Sequence, residues 1–158
     1  MANQVTIPSE QRLHNLDMQF ASMISVLHER LHNLVNATPF IYSSKPSRLP
    51  QSAVYLFSEE ELLLYVGRTN KFAQRLGNHC RKSSTANQSS FAFKLAREAA
   101  GNVEASYSGE NTRARLMERP EFANGFLRAK ERLNRMQIRY VEELDLAKRC
   151  WKYIARWL

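Results

Sequence analysis

Only two of the 158 residues are cysteine, Cys80 and Cys150. They lie far apart and lack metal-ligand spacing, so they read as free thiols of a reducing compartment rather than as a bridge. No run of about 18 apolar residues exists, which argues against a transmembrane helix and a membrane partner. The first ten residues, Met1 to Glu10, are polar and hold no apolar signal core, so the expectation is a cytoplasmic protein. No internal repeat and no second composition regime divide the chain. One compact unit is expected, with residues 1–50 as an N-terminal helix and connector and residues 51–158 as the main domain.

Acidic residues are also in short supply. The net charge is +8 and the pI about 9.8, a surplus that favours a polyanionic partner over a generally solvated basic surface. The surplus is uneven. Met1 to Glu61 holds four Lys/Arg against six Asp/Glu, whereas the rest holds nineteen against nine. The polyanion-facing surface therefore belongs to the later part of the chain.

Periodicity supplies the elements. Leu13, Leu16, Phe20, Met23, Ile24, Leu27, Leu31 and Leu34 recur at three- and four-residue steps and predict an amphipathic helix over 11–35. Its candidate partners are its own domain or a second copy in a homodimer. A connector with Pro39, Pro46 and Pro50 follows. Apolar runs at 53–58 and 62–67, split by Glu59-Glu60-Glu61, read as a hairpin, with Gly67 allowing a sharp exit. Asn70 is placed to cap a helix over 71–81, residues 83–90 (SSTANQSS) read as a mobile polar loop, and 91–100 returns to helix, stopped by Gly101. A weak turn over 109–116 precedes a helix from Pro120 to about Asn134. A third strand over 136–141 and an amphipathic helix over 146–158 complete the chain. The predicted class is α+β: a small, mostly antiparallel three-stranded sheet flanked by helices, with an N-terminal amphipathic helix.

The chemistry concentrates between residues 53 and 79. Tyr55 and Tyr65 lie on paired strands, and Tyr55 shares a face with Ala53 and Phe57, so its hydroxyl needs a partner if buried. Arg75 and His79 are four apart on a helix and project from one face. A phosphodiester needs a cation for its non-bridging oxygens and a base near the attacking water. Arg75 suits the first role through its planar fork, and His79 or Tyr55 suits the second. The plainer alternative is a half-buried aromatic hairpin beside a solvated basic helix. Arg68 and Lys71 flank this segment, and Arg128, Lys130, Arg132, Arg135 and Arg139 form a basic stretch suited to sequence-independent phosphate contacts.

These residues resemble the GIY-YIG nuclease superfamily, in its restriction-enzyme-like or repair-nuclease-like branch. Ala53-Val54-Tyr55 stands at the first signature triplet and Tyr65-Val66-Gly67 at the second. Arg75 stands at the family arginine, and His79 at a histidine of the restriction-enzyme-like branch. The likeness runs more loosely from Phe91 to Glu98, at Ala129-Lys130 and at 136–143, spanning roughly Gln51 to Asp145. It implies an endonuclease hydrolysing double-stranded DNA with one divalent ion, usually Mg2+. Tyr55, Tyr65, Arg75 and His79 would then be catalytic, and Arg68, Lys71, Arg128, Lys130, Arg132 and Arg135 would bind phosphate.

The chain also departs from the pattern. Ala53 replaces a glycine. The metal-binding glutamate falls, without gaps, at Lys152, whose charge opposes a cation. The usual later asparagine has no counterpart before Leu158. Glu142 or Glu143 is the fallback ligand. The alternative function is a weakly active or inactive nuclease-fold module that binds DNA or another partner. Finally, His28-Glu29-Arg30-Leu31-His32 matches the H-E-x-x-H zinc pattern. Arg30 inside the motif and leucines beside both histidines favour an ordinary salt-bridging helix face.

Overall fold

The computed structural model describes residues 10–101, 108–109 and 111–143. The expected helix over 146–158, with Lys152, lies outside them. Helix α1 (Glu10–Asn36) leads into the proline-bearing connector. Strands β1 (Ala53–Glu59) and β2 (Leu62–Thr69) form the hairpin, and α2 (Phe72–Cys80) follows directly. Next come α3 (Ser90–Ala99), the short α4 (Arg113–Glu118), α5 (Pro120–Arg135) and β3 (Gln137–Glu142). The sheet order is β2-β1-β3, both pairs antiparallel. The α+β class with a three-stranded antiparallel sheet and an N-terminal helix is thus borne out.

One sheet face carries the main core. Ala53, Tyr55 and Phe57 of β1 pack with Phe72 and Leu76 of α2, Phe91 and Leu95 of α3, and Phe126 and Leu133 of α5. The other face presents Val54 and Leu56, which pack with Leu34 of α1 and with Val66 and Val141. The α1 helix forms as its periodicity predicts, but its stripe is only partly used. Leu34 is buried, whereas Phe20 is 66% and Ile24 49% exposed. Three strands offer α1 too narrow an apolar face to cover more than its last turns. The connector is held at the free edge of β3, where Phe40 exchanges backbone hydrogen bonds of 3.0 and 2.7 Å with Ile138. His28 and His32 are exposed on α1, and no cluster of three metal-ligating side chains exists among the described residues.

The hairpin contains the decisive local feature. Glu59 pairs with Leu62 across a two-residue turn whose Glu60 takes φ 49°. From Ser58↔Leu63 the register then skips to Phe57↔Tyr65, so Leu64 is an extra residue in β2. Side chains alternate faces along a strand, so one inserted residue moves everything beyond it to the opposite face. The bulge therefore puts Tyr65 and Gly67 on the same face as Phe57 and Tyr55. Regular pairing would have sent Tyr65 toward α1.

Gly67 does not end the strand, as the sequence suggested, and its φ is not positive; among the described residues the positive-φ glycines are Gly101 and Gly109. Gly67 lies within β2 directly opposite Tyr55, and the Tyr55 ring lies flat over it. A Cβ there would fall onto Cζ and the hydroxyl oxygen, and within 2.8 Å of Cε1. The requirement is space for a ring, not backbone freedom. Gly67→Ala should push Tyr55 out of place and cost about 1–3 kcal/mol, as overpacked cores do. A lowered urea midpoint with an unchanged m-value would show it.

Candidate phosphodiester site

Helix α2 begins one residue later than predicted, with Lys71 in the cap position and no side-chain cap. Asn70 does not cap it, because its Oδ1 accepts instead from Arg68 Nη2 at 3.1 Å. From α2, Arg75 and His79 both reach the Tyr55 hydroxyl. Arg75 Nε donates to it at 3.2 Å, and it lies 3.0 Å from His79 Nε2. Tyr55 and His79 are fully buried. With Arg75 donating to the phenol oxygen, the phenol O–H can donate to His79 Nε2 in the tautomer that carries its ring hydrogen on Nδ1. Nδ1 itself is buried and has no partner.

The aromatic surround is dense. Tyr65 is half-buried, 6.1 Å from Tyr55 and 5.4 Å from His79 between ring centroids, and stacks on Phe91 at 4.5 Å. Such burial suppresses charge. Desolvation, then the Tyr65 phenol, raises the Tyr55 pKa despite Arg75 beside it. Desolvation, then the charges of Arg75 and Lys130, lowers the His79 pKa to about 3. At neutral pH Tyr55 and His79 are therefore both uncharged.

Arg75 is the exception, half-exposed and fixed at three nitrogens. Besides Nε, its Nη1 donates to Gln88 O at 3.2 Å and its Nη2 to Ser90 Oγ at 2.9 Å. A guanidinium has five N–H donors, so two lie outside these bonds, with Tyr65 as the neighbouring phenol that also interacts with the group. The segment over 83–90, expected to be mobile, is instead a scaffold for Arg75. Ser84, Ala86 and Ser89 are buried. Ser89 Oγ donates to His79 O at 3.0 Å, Ser84 Oγ to Gly77 O at 3.3 Å, and Thr85 N to Gln88 Oε1 at 3.0 Å. Its polar side chains find backbone partners, which composition alone does not reveal.

Other predicted residues fall elsewhere. Arg68 pairs in register with Val54, on the face away from Tyr55. Its Nε donates to Glu143 Oε1 at 2.6 Å. Glu143 is therefore engaged with a cation, and Glu142 lines a small cavity against α1 with Glu29 and Arg30. Neither fallback carboxylate joins the tyrosine–arginine cluster, so the described residues do not fit a metal there. Lys130 is not on an open basic surface: it is 1% exposed, and Nζ donates to Ser84 O at 3.4 Å. Arg132 forms a bidentate pair with Glu59, its Nε at 2.8 and 3.0 Å from the two carboxylate oxygens. Arg139 donates to Ser58 Oγ at 2.8 Å. Lys71, Arg128 and Arg135 are exposed. Sequence reasoning missed Ser90 and Gln88, which hold the guanidinium; they lie in the stretch read as a mobile polar loop.

A bulged hairpin, a following helix and an arginine held by a tyrosine phenol make up the core of this α+β domain. Residues 51–116 match the family model of the GIY-YIG catalytic domain, the superfamily that the two triplets and Arg75 resemble. Its members are typically endonucleases and generally use divalent metal ions. The matched stretch runs from just before β1 into α4 and does not include β3. No curated protein and no solved structure matches the chain. No helix among the described residues is long and apolar enough to cross a membrane.

The His79 shift has a measurable consequence. Its pKa falls from 6.5 to about 3 on folding, so between those values the unfolded chain binds a proton that the native state does not. The stability His79 contributes is complete above about pH 6.5 and is lost progressively as pH falls toward about 3. Urea unfolding at about pH 7 and about pH 5.5 should show a loss in the wild type that is markedly smaller in His79→Gln.

Proposed function

We propose that the chain is a GIY-YIG-type endonuclease domain acting on phosphodiester bonds of double-stranded DNA. The observation that carries this reading is the half-exposed Arg75 guanidinium, tied at Nε to a buried Tyr55–His79 pair and with two N–H donors outside its bonds to Tyr55, Gln88 and Ser90. A cation so fixed requires no reorganisation as negative charge builds on a phosphoryl oxygen, which is where electrostatic catalysis gains most. Tyr65, at the open side of the same cluster, orients the phosphate or the attacking water through its phenol. Tyr55 is fully buried, and Arg75 and His79 both engage its hydroxyl. It therefore acts first as the post that aims Arg75. Taking a proton from water would require Tyr55 to pass its own to His79, a transfer that both shifted pKa values oppose. Lys71, Arg128 and Arg135 add phosphate contacts along the duplex. The described residues supply no metal ligands beside Arg75, and a requirement for Mg2+ is inferred from the family likeness alone.

A second reading is a DNA-binding module that keeps the phosphate grip without cleavage. The Arg68–Glu143 pair favours it, since it neutralises one of the two carboxylates at the end of β3. Plasmid cleavage with and without magnesium separates the two. The nuclease reading expects magnesium-dependent nicking that falls at least about 100-fold in Arg75→Ala, the scale of losing a charge-stabilising donor. Absence of cleavage with any divalent ion, while Arg75→Ala still weakens duplex binding, would establish the second reading. Cleavage unaffected by Arg75→Ala would overturn the first.

A further inference from the structure

Between α3, α4 and α5 lies a cleft of about 930 Å³, separate from the Tyr55–Arg75 cluster. Among the described residues its lining includes three cations, Lys82, Arg97 and Arg113, and no carboxylate. Arg97 is the unusual one. Its Nε and Nη2 are buried and have no hydrogen-bond partner. A desolvated guanidinium without a partner is costly, and such a group signals a missing ligand or bound water. The rest of the lining is largely apolar, with Met117, Phe126 and the half-exposed Leu127 opposite these charges.

The size and chemistry of the cleft select the occupant. Its volume falls within the range of roughly 300–1,000 Å³ typical of small-molecule sites. That is far more than a bare phosphate needs, so the ligand is an anion with a sizeable apolar body. The Arg97 fork suits bidentate phosphate recognition. Arg113 is already held flat, 4.4 Å over the Phe93 ring, with Nη1 donating to Ala86 O at 2.9 Å. Its outer face offers a planar cation on which a base can stack. The backbone that Arg113 grips belongs to the same 84–90 segment whose Gln88 carbonyl anchors Arg75. The cleft and the Arg75 guanidinium are thus tied to one and the same loop.

We infer that this cleft binds an unpaired nucleotide, with its phosphate on Arg97 and Lys82 and its base between Arg113 and the Met117–Leu127 wall. The choice of a nucleotide rests on the function proposed above. The ligand's source is either a free nucleoside monophosphate or an unpaired residue of a strand lying across Arg75.

The full chain can be tested in EDTA by fluorescence anisotropy, with a blunt duplex and with the same duplex carrying a short single-stranded tail. The wild type should bind the tailed duplex about tenfold more tightly, the scale of one stacked base. Arg97→Gln should abolish that preference and leave blunt-duplex affinity unchanged. Lys82→Glu, a surface change that does not threaten folding, should reduce it. A free nucleoside monophosphate that erases the preference, when inorganic phosphate at equal concentration does not, identifies a mononucleotide site. If neither competes but the preference still depends on Arg97, the strand itself is the source. The inference is overturned if both variants keep the wild-type preference, if the wild type has none, or if inorganic phosphate competes as well as the nucleotide. Loss of all duplex binding by the wild type would instead sink the functional reading beneath it. Blunt-duplex binding that depends on Arg75 but shows no Arg97-dependent preference would remove this inference alone.

Discussion

The Tyr55 hydroxyl is the point on which the site turns. A guanidinium donates to it on one side and an imidazole meets it on the other, and all three side chains come from β1 and α2. Each partner satisfies a group that would otherwise be buried without one, so the three hold each other in place. The ring that carries this hydroxyl lies where the backbone of Gly67 leaves room for it. The hairpin register, the glycine, the phenol and the guanidinium therefore form one connected constraint. Relaxing any of them misplaces the cation that faces solvent.

Burial divides the labour within the cluster. Tyr55 and His79 are too well enclosed to exchange protons readily near neutrality, and their shifted pKa values express the cost of charging either. The charge that reaches solvent is concentrated on Arg75, whose backing comes from the 84–90 segment as well as from the tyrosine. On the reverse side of that segment, Arg113 performs a similar anchoring at Ala86. A loop braced by two arginines can serve both a phosphate site and a neighbouring cleft while contributing no charged side chain of its own.

The basic surplus is distributed differently from a uniform nucleic-acid surface. Arg68, Arg132 and Arg139 are spent within the fold on Glu143, Glu59 and Ser58, and Lys130 is interior. Net charge counts such residues as available, because it is blind to partners many positions away in sequence. Lys71, Arg128 and Arg135 remain exposed, so the polyanion contacts proposed for them are sterically open. The pairing of Arg68 with Glu143 also removes a carboxylate that sequence position alone had offered to a metal.

Local pattern determined much of this protein. The alternation in β1, the helical spacing of Arg75 and His79, the proline that opens α5 and the two triplets with their arginine were all legible, because each depends on near neighbours in the chain. Other features depend on contacts the linear pattern does not encode. The extra Leu64 reverses the facing of Tyr65, Gly67 serves a ring from the next strand, and a serine-rich stretch becomes the brace for a guanidinium. Ion pairs spanning more than seventy residues decide which cations are free. Strand parity and long-range pairing are settled only when the sheet closes and the helices pack on it. Sequence therefore named the candidate groups, and tertiary structure chose which of them share a face.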